Sequence, residues 1–306
     1  MAKIMITGAT GLLGRAVKTQ IEASQIHQVI ATGFSRAQAG IYKLDLTNTQ
    51  AADEFIAHHQ PDIIVHCAAE RRPDVSELNP SAALALNLGA TKALAESASK
   101  HGIWIIYIST DYVFDGSAPN YAEFHKPNPL NFYGESKWQG EQALLATSKD
   151  FAVLRLPILY GQVETVSESA ILILLNHLMD KQTQEVDHWA VRSPTSTQDI
   201  ALAIEKMIDL QVAQQELSGI YHFSGKETMS KYQMLLTLGE VLGLDVDHLL
   251  PVSEPSDDAK RPKDCTLNCD RLALLGITSQ VDFKSGVLDA LEASTPALSA
   301  IGLKLG

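Results

Sequence analysis

The amino-acid sequence predicts an α/β fold, a doubly wound parallel sheet followed by a smaller, mixed α/β domain. Three observations lead there. Short apolar runs alternate with helical patterns from residue 3 to residue 156, the order that builds parallel strands covered by helices on both faces. A turn with glycines at 8, 11 and 14 stands directly between the first apolar run and the first helical pattern. Beyond Gly161 the alternation loosens, which places a division at 1–160 and 161–306, with residues 195–215 expected to pack back on the first part.

Taken in order, Lys3-Ile4-Met5-Ile6-Thr7 reads as a buried parallel strand and residues 12–23 as a helix. The turn between them is Gly8-Ala9-Thr10-Gly11-Leu12-Leu13-Gly14. Its glycines permit a tight turn, let backbone approach a pyrophosphate at the helix N-terminus, and let helix pack closely on strand. The spacing is G-x-x-G-x-x-G rather than G-x-G-x-x-G, and a glycine-rich turn can exist without a ligand. Its place after the first strand favours dinucleotide binding by Gly8, Thr10, Gly11, Leu12, Leu13 and Gly14 in a Rossmann-type sheet.

The second strand, Gln28–Gly33, ends in Gly33-Phe34-Ser35-Arg36. An acid there would hold the adenosine ribose hydroxyls of NAD. None is present, and Ser35 with Arg36 suits a 2′-phosphate, so NADP(H) is expected ahead of NAD(H). A lone surface arginine is the plainer reading of the same residues. Leu44-Asp45-Leu46 is a short strand end whose carboxylate either meets the adenine amine or caps the helix 51–59.

Strand 63–67 ends in Cys67, and Ala68 and Ala69 are small enough for a cofactor to lie against. Glu70-Arg71-Arg72-Pro73-Asp74 follows as a charged loop at the sheet edge where ligands collect. Either Arg71 or Arg72 meets phosphate there, or the run is simply solvated. Residues 80–100 read as one long helix, and 103–109 as an apolar strand. Strand 151–156 ends in Arg155-Leu156-Pro157-Ile158, where Pro157 and Ile158 suit the wall of a nicotinamide pocket.

The chemistry centres on Asn128–Lys137. Tyr133 and Lys137 are four apart, one turn apart on one helix face. A phenol there can protonate a developing alkoxide, and the ammonium is expected to lower its pKa. Thr110, at the end of the strand before it, is placed to hydrogen-bond a substrate carbonyl, with strand alternation turning Ser109 the other way. Asp111 either holds a substrate hydroxyl or caps a turn. Past Gly161, 167–179, 197–210, 230–242 and 270–275 read as helices, 219–223 as a strand, and 186–195 as irregular. The tail 294–306 shows no period and is left unassigned.

A net charge of −12 argues against nucleic acid and against anionic membrane surfaces as partners. No leader pattern precedes the first strand, and the longest apolar runs, such as 170–175, are far too short to span a bilayer, so a cytoplasmic protein is expected. The three cysteines, Cys67, Cys265 and Cys269, have no spacing for a disulfide framework or a zinc site and read as packing residues. No metal is expected.

With the glycine turn, the Ser109-Thr110-Asp111 strand end and Tyr133-x-x-x-Lys137 in colinear order, the chain resembles the extended short-chain dehydrogenase/reductase superfamily. The strings 109–116, 128–137 and Arg261-Pro262 narrow the resemblance to its dTDP-4-dehydrorhamnose reductase-like branch, over roughly residues 2–291. That resemblance implies Thr110 and Tyr133 acting on a keto group, with Lys137 holding the nicotinamide ribose and tuning Tyr133. It implies NADPH giving hydride to the C4 ketone of a nucleotide-linked sugar, with Asp111, Val113, Arg192 and Arg261 as candidate substrate contacts. The strings 67–74, 157–161 and Asp187-His188-Trp189 are more similar to the regulatory beta subunit of methionine adenosyltransferase, a branch member that binds NADP and partners a catalytic subunit. A typical rhamnose reductase has an uncharged, tyrosine-containing loop at 70–72, whereas the tail does not resemble that subunit's basic-aromatic ending. The reductase is the first reading and the regulatory subunit the second. An epimerase or dehydratase is the third, since Asp111 supplies the acid a dehydratase needs.

Overall fold

Seven parallel strands form the central sheet of the computed structural model, which describes residues 1–255 and 261–305. They are β1 (Lys3–Thr7), β2 (Gln28–Gly33), β3 (Tyr42–Lys43), β4 (Ile63–His66), β5 (Trp104–Thr110), β6 (Ala152–Leu156) and β7 (Gly219–His222). Their spatial order is β7-β6-β5-β4-β1-β2-β3. Ile4 pairs with Val29 on one side and Ile63 on the other, so β1 is central, and its Ile4, Met5 and Ile6 are fully buried. That is why the run is apolar without alternation. The strand order reverses between β1 and β4, which opens a crevice at the carboxyl ends of the strands.

The third strand is shifted from the expected 44–46. Its pairs are Thr32 with Tyr42 and Gly33 with Lys43, and a last bond runs from Leu44 N to Gly33 O at 2.8 Å. Because β2 ends at Gly33, Leu44 and Leu46 have no further partner strand and are buried as an extended segment. The next helix begins at Thr49, capped by the Asn48 side chain on Ala51 N at 3.1 Å.

Two further expectations are corrected. Pro73 and Asp74 do not lie in a loop but open a helix, Pro73–Leu78, with proline at its first turn. The helix expected over 80–100 is broken into Pro80–Leu84, a π-helical segment Ala85–Ala90, and Thr91–His101. Asn87 in the π segment is fully buried and uses its side chain outside the helix. It accepts from Glu70 N at 2.9 Å and donates to Glu70 O at 3.0 Å and Ser136 Oγ at 2.9 Å. The extra residue in that turn aims Asn87 at the sheet's carboxyl edge.

The helix Phe132–Thr147 follows β5 and precedes β6. Leu12–Ser24 packs against Thr197–Val212, and both bury their apolar faces in the large core around the sheet. A separate apolar cluster gathers Leu12, Tyr160, Leu172, Leu175, Leu238, Phe283 and Leu298. In place of the helix expected over 167–179 there are two 3-10 turns and a short helix Leu175–Met179. Ser230 caps Lys231–Leu242 through a full capping box with Gln233. The tail is structured up to Leu305. Helix Thr295–Ala300 puts Ala297 and Leu298 into the second cluster, and Gly306 lies outside the described residues. Among the described residues no helix is long and apolar enough to cross a membrane.

Candidate active site

A cavity of about 630 Å³ fills the crevice at the carboxyl ends of β1, β2, β4, β5 and β6. The glycine turn forms one end. A Cβ on Gly14 would lie 2.2 Å from Gly8 O, so only glycine lets the helix start this close to the strand end. Gly11 is the N-cap and offers no side chain to the first helical amides. Thr10, Leu12 and Leu13 line the cavity beside it, leaving a helix N-terminus facing an open space.

Ser35, Arg36, Asp45 and Leu46 line the adjoining wall. The Asp45 carboxylate accepts from Thr47 N at 2.9 Å and Thr47 Oγ1 at 2.6 Å, while Asn48 takes the capping role. Arg36 is ion-paired with Glu168 and, at 3.3 Å, with Glu164. The two arginines of the 70–74 run separate clearly. Arg72 is forked onto Glu70, Nε and Nη2 both at 2.9 Å, and stays exposed. Arg71 lines the cavity. Cys67, Ala68 and Ala69 line it as well, and burial pushes the Cys67 thiol up to about 12, which disfavours its thiolate.

Pro157, Ile158, Thr110, Asp111, Tyr133 and Lys137 gather at the far end. Tyr133 stands in the first turn of Phe132–Thr147, whose N-cap is Asn131, accepting from Gly134 N at 2.9 Å. A Cβ on Gly134 would lie 2.1 Å from Tyr112 O, so this helix also begins against a strand-end turn. Thr110 Oγ1 donates to Asp111 Oδ1 at 3.2 Å and accepts from Tyr112 N at 3.2 Å. Ser109 is turned away, its Oγ donating to Glu141 at 2.5 Å.

The electrostatics differ from expectation at Tyr133. Burial raises its phenol above the ordinary value, a Thr110 hydrogen bond pulls it down, and the Asp111 charge raises it again. The Lys137 ammonium lies over the Tyr107 ring, 4.0 Å from the centroid. Lys137 is itself 2% exposed, and burial lowers it to about 7 against the Glu141 charge. His66, between Thr7 Oγ1 at 2.7 Å and Thr91 Oγ1 at 3.1 Å, is held neutral by burial and by Lys137, down to about 3. Asp111 is pushed up to about 7 by burial, against the pull of Arg192 and the Thr110 bond.

Three expected substrate contacts are not among the described residues lining the cavity. Val113 is fully buried with Phe114, Tyr121, Cys265 and Leu267, which makes it a core residue. Arg192 sits behind the site, its guanidinium 5.5 Å from the Tyr112 ring centroid and donating to Val191 O and Lys263 O. Arg261 points outward to Asp74 at 3.5 Å. Sequence reasoning overlooked Glu168, Tyr107, His66 and Asn87. Asn87 alone carried a local signal, a poor helix former inside a helical pattern.

The family model for the RmlD substrate binding domain matches residues 2–295. Methionine adenosyltransferase 2 subunit beta of Mus musculus is 41% identical over 291 residues, covering 94% of this chain and 87% of that protein. A dTDP-4-dehydrorhamnose reductase of Aggregatibacter actinomycetemcomitans is 31% identical over 240 residues, covering 78% of each. Among solved structures, dTDP-4-dehydrorhamnose reductase from Bacillus anthracis str. Ames in complex with NADP superposes with a TM-score of 0.83 at 27% identity, covering 96% of this chain and 98% of that one. The match runs nearly the whole length and takes in the glycine turn, the strand-end threonine and the tyrosine–lysine helix, and the chain is a member of the RmlD substrate binding domain family.

Proposed function

We propose that the protein is an NADPH-dependent reductase of a nucleotide-linked 4-keto sugar. The observation that carries this is the gathering of Thr110, Tyr133 and Lys137 at the end of one cavity, opposite the glycine turn. The residues lining the cavity fit this cofactor. Gly8, Thr10, Gly11, Leu12, Leu13 and Gly14 would hold its diphosphate, Ser35 and Arg36 its 2′-phosphate, and Asp45 and Leu46 its adenine. Cys67, Ala68 and Ala69 give a flat flank, Arg71 a further cation, and Pro157 and Ile158 a wall for the nicotinamide. NADP(H) is preferred over NAD(H) because no acid follows β2. In this reading residues 1–160 mainly serve the cofactor and 161–306 mostly the sugar, with 195–215 returning to the sheet. The sheet's core also takes in Leu217, Tyr221, Phe223, Leu272 and Ile277, while the second cluster takes in Leu12 and Tyr160.

NADPH supplies the hydride. Thr110 Oγ1 orients the ketone oxygen, and Tyr133, kept protonated by its burial, gives that oxygen the proton that completes the alcohol. Lys137 holds the ribose hydroxyls and, once charged, favours the phenolate left behind. Asp111 sits one hydrogen bond from Thr110, within reach of a substrate hydroxyl in this reading.

The second reading is an NADP-binding regulatory subunit docked on a methionine adenosyltransferase catalytic subunit. It is favoured by the 41% identity that extends across 94% of the chain. One experiment separates the two. Tyr133→Phe retains NADPH binding and lowers turnover of a dTDP- or UDP-linked 4-keto sugar by at least about a hundredfold. If the wild type reduces no such sugar while the synthetase subunit binds it stoichiometrically, the regulatory reading replaces the first.

A further inference from the structure

The cationic groups around the cavity's phosphate end are tied to one short segment of the chain. Glu168, at the end of the 3-10 turn Val166–Glu168, lines the cavity with a side chain only 9% exposed. Its carboxylate takes Arg15 Nη2 at 2.5 Å and Arg15 Nη1 at 3.3 Å, the Arg36 guanidinium, and Glu164 N at 3.1 Å. Arg15 also donates to Thr10 O at 2.7 Å and Gln162 O at 3.3 Å, and Arg71 reaches Ser167 O at 3.5 Å. A carboxylate therefore stands where Arg36 would meet the 2′-phosphate.

We propose that Glu168 is a specificity-determining residue that competes with the cofactor's 2′-phosphate for Arg36. The proposal rests on the NADP(H) reading above. Two features suit Glu168 to exchange. Arg36 is 46% exposed, so its release from the carboxylate strands no buried charge. Arg15 reaches both oxygens of the same carboxylate, Oε2 most closely, so Glu168 keeps a partner after Arg36 leaves. NADH carries no 2′-phosphate and leaves the Arg36 pair intact. NADPH has to exchange one anion for another at that guanidinium, which lowers its apparent affinity by the share of molecules still paired.

The test is a set of dissociation constants for NADPH and NADH with the wild type, Glu168→Gln, Glu164→Gln, Arg36→Ala and the Glu168→Gln/Arg36→Ala double variant. Glu168→Gln is expected to tighten NADPH about fivefold, the scale of one exposed-to-half-buried ion pair, while NADH changes less than about twofold. The gain vanishes in the Arg36→Ala background. Equal tightening of both cofactors, weaker NADPH binding, or a gain that survives loss of Arg36 overturns the proposal. Should Glu168→Gln fail to fold, Glu164→Gln carries the test, since Glu164 is exposed and pairs with Arg36 as well. It is expected to raise the NADPH preference in the same direction by about twofold, and an unchanged ratio overturns the proposal. A wild type that binds neither nucleotide defeats the NADP(H) reading itself. A wild type that binds NADPH, with no change of ratio in the variants, defeats the Glu168 proposal alone.

Discussion

Glu141 and Arg155 form a fully buried ion pair that ties the Tyr133–Lys137 helix to β6, and breaking it tests the packing argument directly. Their side chains are 2% and 1% exposed, and Arg155 donates to Glu141 through Nε at 2.9 Å and Nη2 at 2.7 Å. Ser109 Oγ and His222 complete the network, and the guanidinium carbon lies 5.1 Å from the Phe114 ring centroid. Two unit charges at about 4 Å attract by about 4 kcal/mol at an effective dielectric of 20. Removing one partner also leaves the other charge buried alone, for a total cost of about 3–5 kcal/mol. Glu141→Leu and Arg155→Met are each expected to lose that much in urea unfolding followed by circular dichroism. The double variant is expected to lose far less than the two losses added, because no orphaned charge remains. Strict additivity, or single losses under about 1 kcal/mol, refutes the claim that the pair acts as one buried unit.

Other outcomes follow from the same geometry. Gly134→Ala pushes the start of the Tyr133–Lys137 helix off Tyr112 O, so under the proposed function turnover is expected to fall by about a hundredfold while NADPH affinity stays within a small factor, measured by steady-state kinetics and titration. Asp111, raised to about 7 in the folded chain, binds protons there that it releases in the unfolded chain. Its contribution to stability is therefore full below about pH 4 and lost as pH rises through about 7. Asp111→Asn is expected to flatten the dependence of the urea midpoint on pH over that window, and an unchanged slope counts against a buried, titrating carboxyl.

Much of this was legible in the residues because each signal was local. The run 3–7 is apolar on both faces because β1 lies mid-sheet. Within the turn Gly8 adopts a φ of +65° and Gly14 packs on Gly8 O, although Gly8 is also required by the close approach of Ala68 N, 2.8 Å from where a Cβ would lie. Tyr133 and Lys137 share a helix with an asparagine cap three residues before Gly134, again a local pattern. What escaped was set by tertiary contacts. Lys137 faces Tyr107 from a neighbouring strand, so its spacing from Tyr133 did not reveal which ring it touches. Glu168 reaches Arg15 and Arg36 across more than a hundred residues of sequence, and nothing in its own neighbourhood marks it. Val113 sits in the string 109–116 that carries the family resemblance and its implied substrate contacts, yet it lies at the end of the 3-10 turn Asp111–Val113 and is buried in the core.

The cost of burying Lys137 bears on whether its charge is used on a bound cofactor. Its pKa falls from 10.5 in water to about 7 in the folded chain, so the folded state releases a proton that the unfolded state keeps. The penalty is on the order of a few kcal/mol below about pH 7, declines as pH rises, and is gone above about pH 10. Contact with the Tyr107 ring returns only about 1–2 kcal/mol of it. Lys137→Met keeps the shape and removes the charge, so the variant is expected to be more stable than the wild type at pH 6.5, with the difference shrinking toward pH 9.5. A side chain that weakens the apoprotein in this way makes physical sense where its charge is used on a bound ribose and a developing phenolate. The NADP-binding regulatory reading uses that charge on the ribose as well, so a loss of sugar reduction beyond any loss of NADPH affinity is what separates the two readings. Urea midpoints at the two pH values, alongside NADPH affinity and sugar reduction, decide the matter. If Lys137→Met destabilises the protein at pH 6.5, the lysine is part of the packing and the argument from its cost is void.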